Sequence, residues 1–232
     1  VGGTFTDFTL LNERTGELNF YKLPSTPNDP SNAVEEGLEN LIGIYNLDPL
    51  DIDYLGHGTT VALNMLLEQR APKIGLLTTK GFRDVLEIGR QTRPHLYDYD
   101  IVRPSPLARR IHSKEIDERI SIDGEVLTPI DLKQVEVAAL QLKKAKISGV
   151  AICFLHAYRF PDHEILAAKI VGKVLPEAFI SLSSEVLPEF REFERASTTA
   201  VNTYVGPQMK LYLRELEKRM QLKGVSRPPY II

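Results

Sequence analysis

An α/β fold with a mixed, partly parallel sheet flanked by helices is what this sequence predicts, and three observations carry the prediction. Short strand-like runs alternate with stretches of helical periodicity, the pattern of strand-loop-helix units. One run, residues 150–155 (Val-Ala-Ile-Cys-Phe-Leu), is apolar throughout, as a buried strand is. Val34, Leu38, Leu41, Ile42 and Tyr45 recur at the spacing of one helical face.

The elements follow in order. Residues 4–11 and 17–23 read as a hairpin closed through the polar turn Asn12, Glu13, Arg14, Thr15 and Gly16. Residues 24–30 hold three prolines and form a loop before the first helix. A short strand is expected over 54–58, a helix from Thr59 or Thr60 to about 69, a strand over 73–79 and a short helix over 82–88. Residues 92–130 change character: prolines at 94, 104 and 106, then residues 111–121 and 124–127 around Asp123-Gly124, suggest an inserted loop followed by a β-hairpin. Asp131 can cap a helix to about 144, and 149–155 is a core strand. Pro161 opens a helix running to about 174, since proline suits a first turn. A strand follows over 179–183. The helical stretch from about 190 to 222 is expected to be interrupted at Gly206-Pro207, where the ring removes a backbone donor. This gives one domain over 1–228 with an insert at about 92–130, and residues 229–232 as the start of a further element.

The chain has 232 residues, 43% of them hydrophobic, enough to bury a substantial core. A net charge of −3 and scattered Lys and Arg give no sign of a nucleic-acid or anionic-membrane partner. The one cysteine, Cys153, excludes an internal disulfide framework and suits a reducing, cytoplasmic setting. No apolar run approaches the ~18–20 residues of a membrane span. A P-loop, a dinucleotide fingerprint, a C-x-x-C pair and a G-x-S-x-G elbow are all missing, so a serine triad or closed zinc cage is not indicated.

Two segments have the chemistry of an anion site. Gly2 and Gly3 allow backbone to approach a bulky anion or to turn with positive φ; Thr4 and Thr6 offer hydroxyls, and Asp7 a carboxylate for a metal–water cluster. The alternative is a tight corner whose glycines serve geometry alone. In Gly58, Thr59 and Thr60 a strand ends and a helix begins, leaving N–H groups and the positive end of the helix dipole exposed to an anion. A threonine N-cap is the plainer reading, and one residue can do both. His57, just before, is read as a structural histidine in preference to a base. Arg90 and Arg93 flank Gln91-Thr92, and arginine forks suit carboxylate, phosphate or imide oxygens. Arg191, Glu192, Glu194 and Arg195 crowd a helix start, with Thr198, Thr199 and Asn202 continuing a polar stripe that suggests a cleft wall.

Longer motifs give a family resemblance. The run from His57 to Glu68, the run from Ile74 to Gln91, Pro188-Glu189-Phe190-Arg191-Glu192-Phe193-Glu194-Arg195, and Thr198-Thr199 ahead of Asn202 and Tyr204-Val205-Gly206-Pro207 resemble the hydantoinase A / 5-oxoprolinase family. That family also includes subunits of ATP-dependent acetone and acetophenone carboxylases. The resemblance implies a ribonuclease-H-like fold of the actin, sugar-kinase and Hsp70 superfamily, with ATP and Mg²⁺ as cofactors. It implies that Gly2, Gly3, Thr4, Thr6, Gly58, Thr59 and Thr60 hold the nucleotide, with Asp7 near the metal. The family's motif has an aspartate one position before Val1, so the chain is expected to begin inside a strand and to be part of a longer protein. In this superfamily three antiparallel strands usually come first; only two are visible here. The implied reaction is ring opening of a cyclic amide of hydantoin or 5-oxoproline type, with Arg90, Arg93, Arg191 and Asn202 as substrate contacts and a hydantoinase B-like subunit or domain as partner. Phosphorylating the amide oxygen would turn a poor electrophile into one that water attacks. A carboxylase subunit and a non-catalytic nucleotide-binding scaffold remain open beside it.

Overall fold

A computed structural model describes residues 1–68, 72–92, 97, 100 and 104–232. In chain order the elements are β1 (Phe5–Asn12), β2 (Glu17–Pro24), α1 (Pro30–Tyr45), β3 (Gly56–His57), α2 (Val61–Glu68), β4 (Ile74–Thr79), α3 (Val85–Ile88), β5 (Ser113–Ile116), β6 (Arg119–Ile120), β7 (Val126–Thr128), α4 (Leu132–Lys144), β8 (Gly149–Cys153), α5 (Asp162–Val174), β9 (Phe179–Leu182), α6 (Ser183–Val186), α7 (Glu192–Leu222) and β10 (Tyr230–Ile231). The chain divides into two compact units: a first made of Val1–Ala71 and Pro207–Ile232, and a second of Pro72–Gly206. The stretch between the two parts of the first unit is therefore wider than the insert expected at about 92–130.

In the first unit β1 and β2 pair antiparallel, with Asp7 opposite Lys22 and Thr6 opposite Leu23. Alternation along the strand turns Thr6 inward, where it is buried, and leaves Phe5, Asp7 and Thr9 exposed. The third strand usual in the superfamily is absent among the described residues, and the hairpin forms a two-stranded sheet. Helix α1 starts where the Asp29 carboxylate accepts from the Ser31 N–H at 3.1 Å. It lies close on the hairpin because Gly37 has no side chain: a Cβ there would stand 2.1 Å from the Phe8 ring. Val34 and Leu38 of α1 join Leu216 and Met220 of α7 and Val225 in one core, with Val1 and Phe8 packed against it. Arg219 fastens the same two helix segments by pairing with Asp29 at 2.9 Å and with Glu35. Strands β3 and β10 pair in parallel, His57 beside Ile231.

The second unit holds a four-stranded parallel sheet in the order β5-β4-β8-β9. From β4 the chain goes first to one side and then, from β8, to the other, which makes the β4/β8 edge a topological switch point. Both central strands are buried along their whole length, matching their apolar sequence. Asp131 caps α4 by accepting from Lys133 N at 2.9 Å and Gln134 N at 3.1 Å. Gly206 lets α7 pass the Phe179 ring, which an added Cβ would meet at 2.5 Å.

Two expectations are corrected. Residues 113–116, placed by sequence in the inserted hairpin, join the parallel sheet as β5; Ile116 at the strand's end is fully buried, and that burial outweighs the local turn signal. Only β6 and β7 pair as a hairpin. The long helix is not interrupted at Gly206-Pro207 but runs over 31 residues with Pro207 inside. One missing donor does not end a helix whose Ala200, Tyr204, Tyr212 and Leu216 are all buried.

Candidate functional site

The two anion-type segments of the first unit come together. Thr60 N–H donates to the Val1 carbonyl at 3.1 Å, and the Val1 amine donates to the Gly58 carbonyl at 2.6 Å. Gly3 lies beside the first turn of α2, where an added Cβ would be 3.4 Å from the Asn64 amide nitrogen. Neither Gly2 nor Gly3 has positive φ. They contribute closeness instead: a Cβ on Gly2 would sit 3.2 Å from the Phe5 carbonyl oxygen, to which Gly2 N–H donates at 3.0 Å. Ser25 ties the corner from below. Its hydroxyl donates to the Gly2 carbonyl at 2.8 Å, its N–H donates to the Thr4 carbonyl at 2.9 Å, and Thr6 shares a 2.9 Å bond with it. Thr6 is thereby a buried brace, whereas Gly3, Thr4, Gly58 and Thr60 are exposed around the corner.

The Gly58–Thr60 turn rises from a buried base. His57 Nε2 and the Tyr212 hydroxyl are 2.6 Å apart, and both side chains are buried. Burial takes the His57 imidazole down to about 4, so it is neutral at pH 7. Burial likewise pushes the Tyr212 phenol up to about 12, against a hydrogen bond with Thr59. Thr59 Oγ1 also accepts from Val61 N at 3.3 Å, a local turn just ahead of α2.

Asp7 is exposed on the outer face of the hairpin and pairs with Lys22 at 3.0 Å. Among the described residues no three His, Cys, Asp or Glu side chains cluster as a metal cage. Asp7 alone fits the kind of Mg²⁺ that is held mainly by phosphate oxygens and water.

In the second unit Arg90 pairs with Glu194 through Nε and Nη2. Desolvation pushes the Glu194 carboxyl up, but its own backbone amide, Arg90 and Arg191 together hold it below the usual carboxylate range. Arg90 alone pairs with this carboxylate, and the charge of Arg191 acts on it without a direct bond. Arg191 itself is exposed, lies over the Phe190 ring and has φ of 79°, a left-handed conformation that a non-glycine residue adopts at a cost. Gln91, next to Arg90, is left-handed too, with φ of 57°. Asn202 does not join them: its amide donates to Ser181 Oγ at 3.0 Å, in β9. Arg93 lies outside the described residues.

Arg195, four residues from Arg191, has a different role. It is fully buried and donates to Phe154 O at 2.6 Å, Ser183 Oγ at 3.0 Å and Glu189 O at 3.1 Å. Ser183 in turn donates to the Glu164 carboxylate at 2.6 Å, which also accepts from Phe154 N, Ser184 N and Ser184 Oγ. Burial raises the Glu164 carboxyl in spite of these bonds. Sequence reasoning missed Ser25, Asn64 and Tyr212 at the first corner, and nothing local to those residues signals them.

Residues 1–175 match the family described as hydantoinase/oxoprolinase N-terminal region. The chain belongs to that family. Among curated proteins it is 36% identical to the caprolactamase subunit alpha of Pseudomonas jessenii, over 98% of this chain and 34% of that one. It is 32% identical to the 5-oxoprolinase of Dictyostelium discoideum (94% and 20% covered) and to the acetophenone carboxylase gamma subunit of Aromatoleum aromaticum (97% and 33%). Among solved structures it is similar to the ATP-dependent caprolactamase of Pseudomonas jessenii, with TM-score 0.89 and 34% identity over 99% of this chain and 35% of that chain. Acetone carboxylase in its nucleotide-free form gives TM-score 0.87 at 22% identity, covering 96% and 34%. The ribonuclease-H-like α/β class expected from the family motifs is the fold observed. This hydantoinase/oxoprolinase-family chain spans about a third of the length of the caprolactamase subunit it matches. Among the described residues, no helix is long and apolar enough to cross a membrane.

Proposed function

We propose that this chain is the N-terminal part of an ATP-dependent hydrolase that opens a cyclic amide ring through a phosphorylated intermediate. The observation that carries the reading is the meeting of Val1–Gly3 with Gly58–Thr60, two segments 57 residues apart whose sequences each suit a polyphosphate. The names of the relatives, a caprolactamase and a 5-oxoprolinase, support the substrate class. The nucleotide supplies a phosphoryl group that makes the amide carbon electrophilic. Gly2, Gly3, Gly58 and Thr60 let backbone approach its phosphates, Thr4 and Thr59 flank them, and Thr6 braces the corner through Ser25. Asp7, released from Lys22, is the carboxylate for the Mg²⁺ shell. Arg90, now paired with Glu194, and the exposed Arg191 are the candidate contacts for the oxygens of the substrate. The protein's share of such a transfer is positioning and charge neutralisation. We place the enzyme in the cytoplasm, with a second, hydantoinase B-like subunit or domain completing it.

The acetophenone carboxylase relative favours one rival, an ATP-dependent carboxylase subunit. The full-length protein with its partner, given ATP and Mg²⁺, separates the two: lactams and hydantoins should drive ADP release, whereas ketones with bicarbonate should not. Turnover with ketone and bicarbonate alone assigns the carboxylase branch. No ATP turnover with either set leaves a non-catalytic scaffold.

A further inference from the structure

We propose that Tyr212 is a positioning residue for nucleotide binding: its hydroxyl, set between His57 and Thr59, holds the Gly58–Thr60 turn in the shape that receives the phosphates. The inference rests on the nucleotide reading above and adds to it a residue that no motif marks.

Tyr212 comes from α7, 155 positions after His57, yet its hydroxyl meets His57 Nε2 at 2.6 Å and bonds with Thr59. The two rings are 5.7 Å apart and tilted by 50°, so the contact is also a packed one. His57 is fixed on its strand side, where its carbonyl accepts from Ile232 N at 3.0 Å. Beyond it the chain comes out into the open. Among the described residues, an added Cβ at Gly58 would meet nothing within 4 Å, so the turn is open at that position. Its inner side rests on the Tyr212 hydroxyl, and its far side on the Thr60 bond to Val1. A phenylalanine would fill nearly the same space but leave the buried His57 Nε2 without this partner, which is costly. Such a pair fixes direction where an apolar contact would only fill volume. Here the fixed direction is that of Thr59, whose hydroxyl bonds with Tyr212 while Gly58 and Thr60 on either side are exposed.

The test uses the full-length protein with its partner subunit. Binding of a non-hydrolysable ATP analogue with Mg²⁺ is titrated by calorimetry for wild type, Tyr212→Phe, His57→Gln and the double variant. Losing one hydrogen bond that orders the site should raise the analogue Kd about tenfold in Tyr212→Phe. The double variant should bind about as well as the weaker single, because both changes break the same contact. In turnover, KM for ATP should rise while kcat and KM for the amide stay near wild type, a split that a general loss of stability would not produce. Wild-type affinity in Tyr212→Phe overturns the proposal, as does strict additivity in the double variant. If Tyr212→Phe does not fold, unchanged affinity in His57→Gln overturns it. A wild-type protein that takes no analogue overturns the nucleotide reading itself, which wild-type affinity in the variants leaves standing.

Discussion

Polar side chains are dense in both units, but their bonds are arranged differently. In the second unit they are buried and satisfied by one another: Arg195 by two carbonyls and Ser183, Glu164 by four donors, Glu118 by Thr79 and by His163 at 2.7 Å. These groups sit just past the ends of β4, β5, β8 and β9 and hold the loops there. In the first unit a buried layer (Thr6, His57, Tyr212), with half-buried Ser25, supports an exposed one (Gly3, Thr4, Gly58, Thr60). Crowding of charged and hydroxyl residues therefore does not by itself mark a binding site. The proposed nucleotide corner rests instead on a braced base beneath exposed residues.

The strongest way to break that comparison is Arg195→Ala. If Arg195 is structural, removal strands buried carbonyls and the Glu164–Ser183 pair, and stability should fall by about 3–5 kcal/mol in urea denaturation. Arg195→Lys should recover little, since one ammonium cannot reach three partners in a fixed fork. A loss below about 1 kcal/mol would mean that the network is incidental and Arg195 is available for chemistry.

His57 offers the next largest effect and probes the buried base of the first unit. Its folded value of about 4 lies below the ordinary 6.5, so the unfolded chain takes up the proton first as pH falls. The stability from the neutral imidazole is fully present above about pH 6.5 and is lost as the pH drops through about 4; it is worth about 3 kcal/mol. Denaturation of wild type and His57→Gln at pH 7 and pH 4 isolates this step. Equal pH dependence in the two proteins would show that His57 is solvated and no base for the turn.

Asp7→Asn tests the exposed layer. Turnover of ATP should drop about 100-fold, close to 2.7 kcal/mol of barrier. Stability should change by less than about 1 kcal/mol, because the pair with Lys22 is solvent-exposed. Full activity in this variant would remove Asp7 from the metal shell.

How much of this could be read from the chain alone depended on distance along it. Asp131 as a cap and the buried runs of β4 and β8 are local signals, and each stands where the periodicity and cap chemistry put it. The insert's strand was misread because a buried Ile116 matters only once β4 lies beside it. The meeting of Val1 with Gly58 and of His57 with Tyr212 spans 57 and 155 positions, and no local pattern encodes such pairs. Arg191 and Arg195 look equivalent in sequence. Only the backbone separates them, the first left-handed before the helix begins, the second one turn inside it with its side chain in the core.

The smallest effect expected is at Cys153, in the second unit. The thiol closes β8, is 4% exposed, and burial raises it to about 11, so almost none is thiolate at pH 7. Thiol reagents should react with it slowly and only through opening of the fold. Cys153→Ala removes one buried sulfur from a tight site, and stability should fall by about 1–2 kcal/mol. ATP turnover should stay unchanged, because the proposed nucleotide corner is built from the first unit and Cys153 belongs to the second. Inactivation of wild type by a thiol reagent at native pH, absent in the alanine variant, would place working chemistry at the β4/β8 switch point and reverse the contrast between the units.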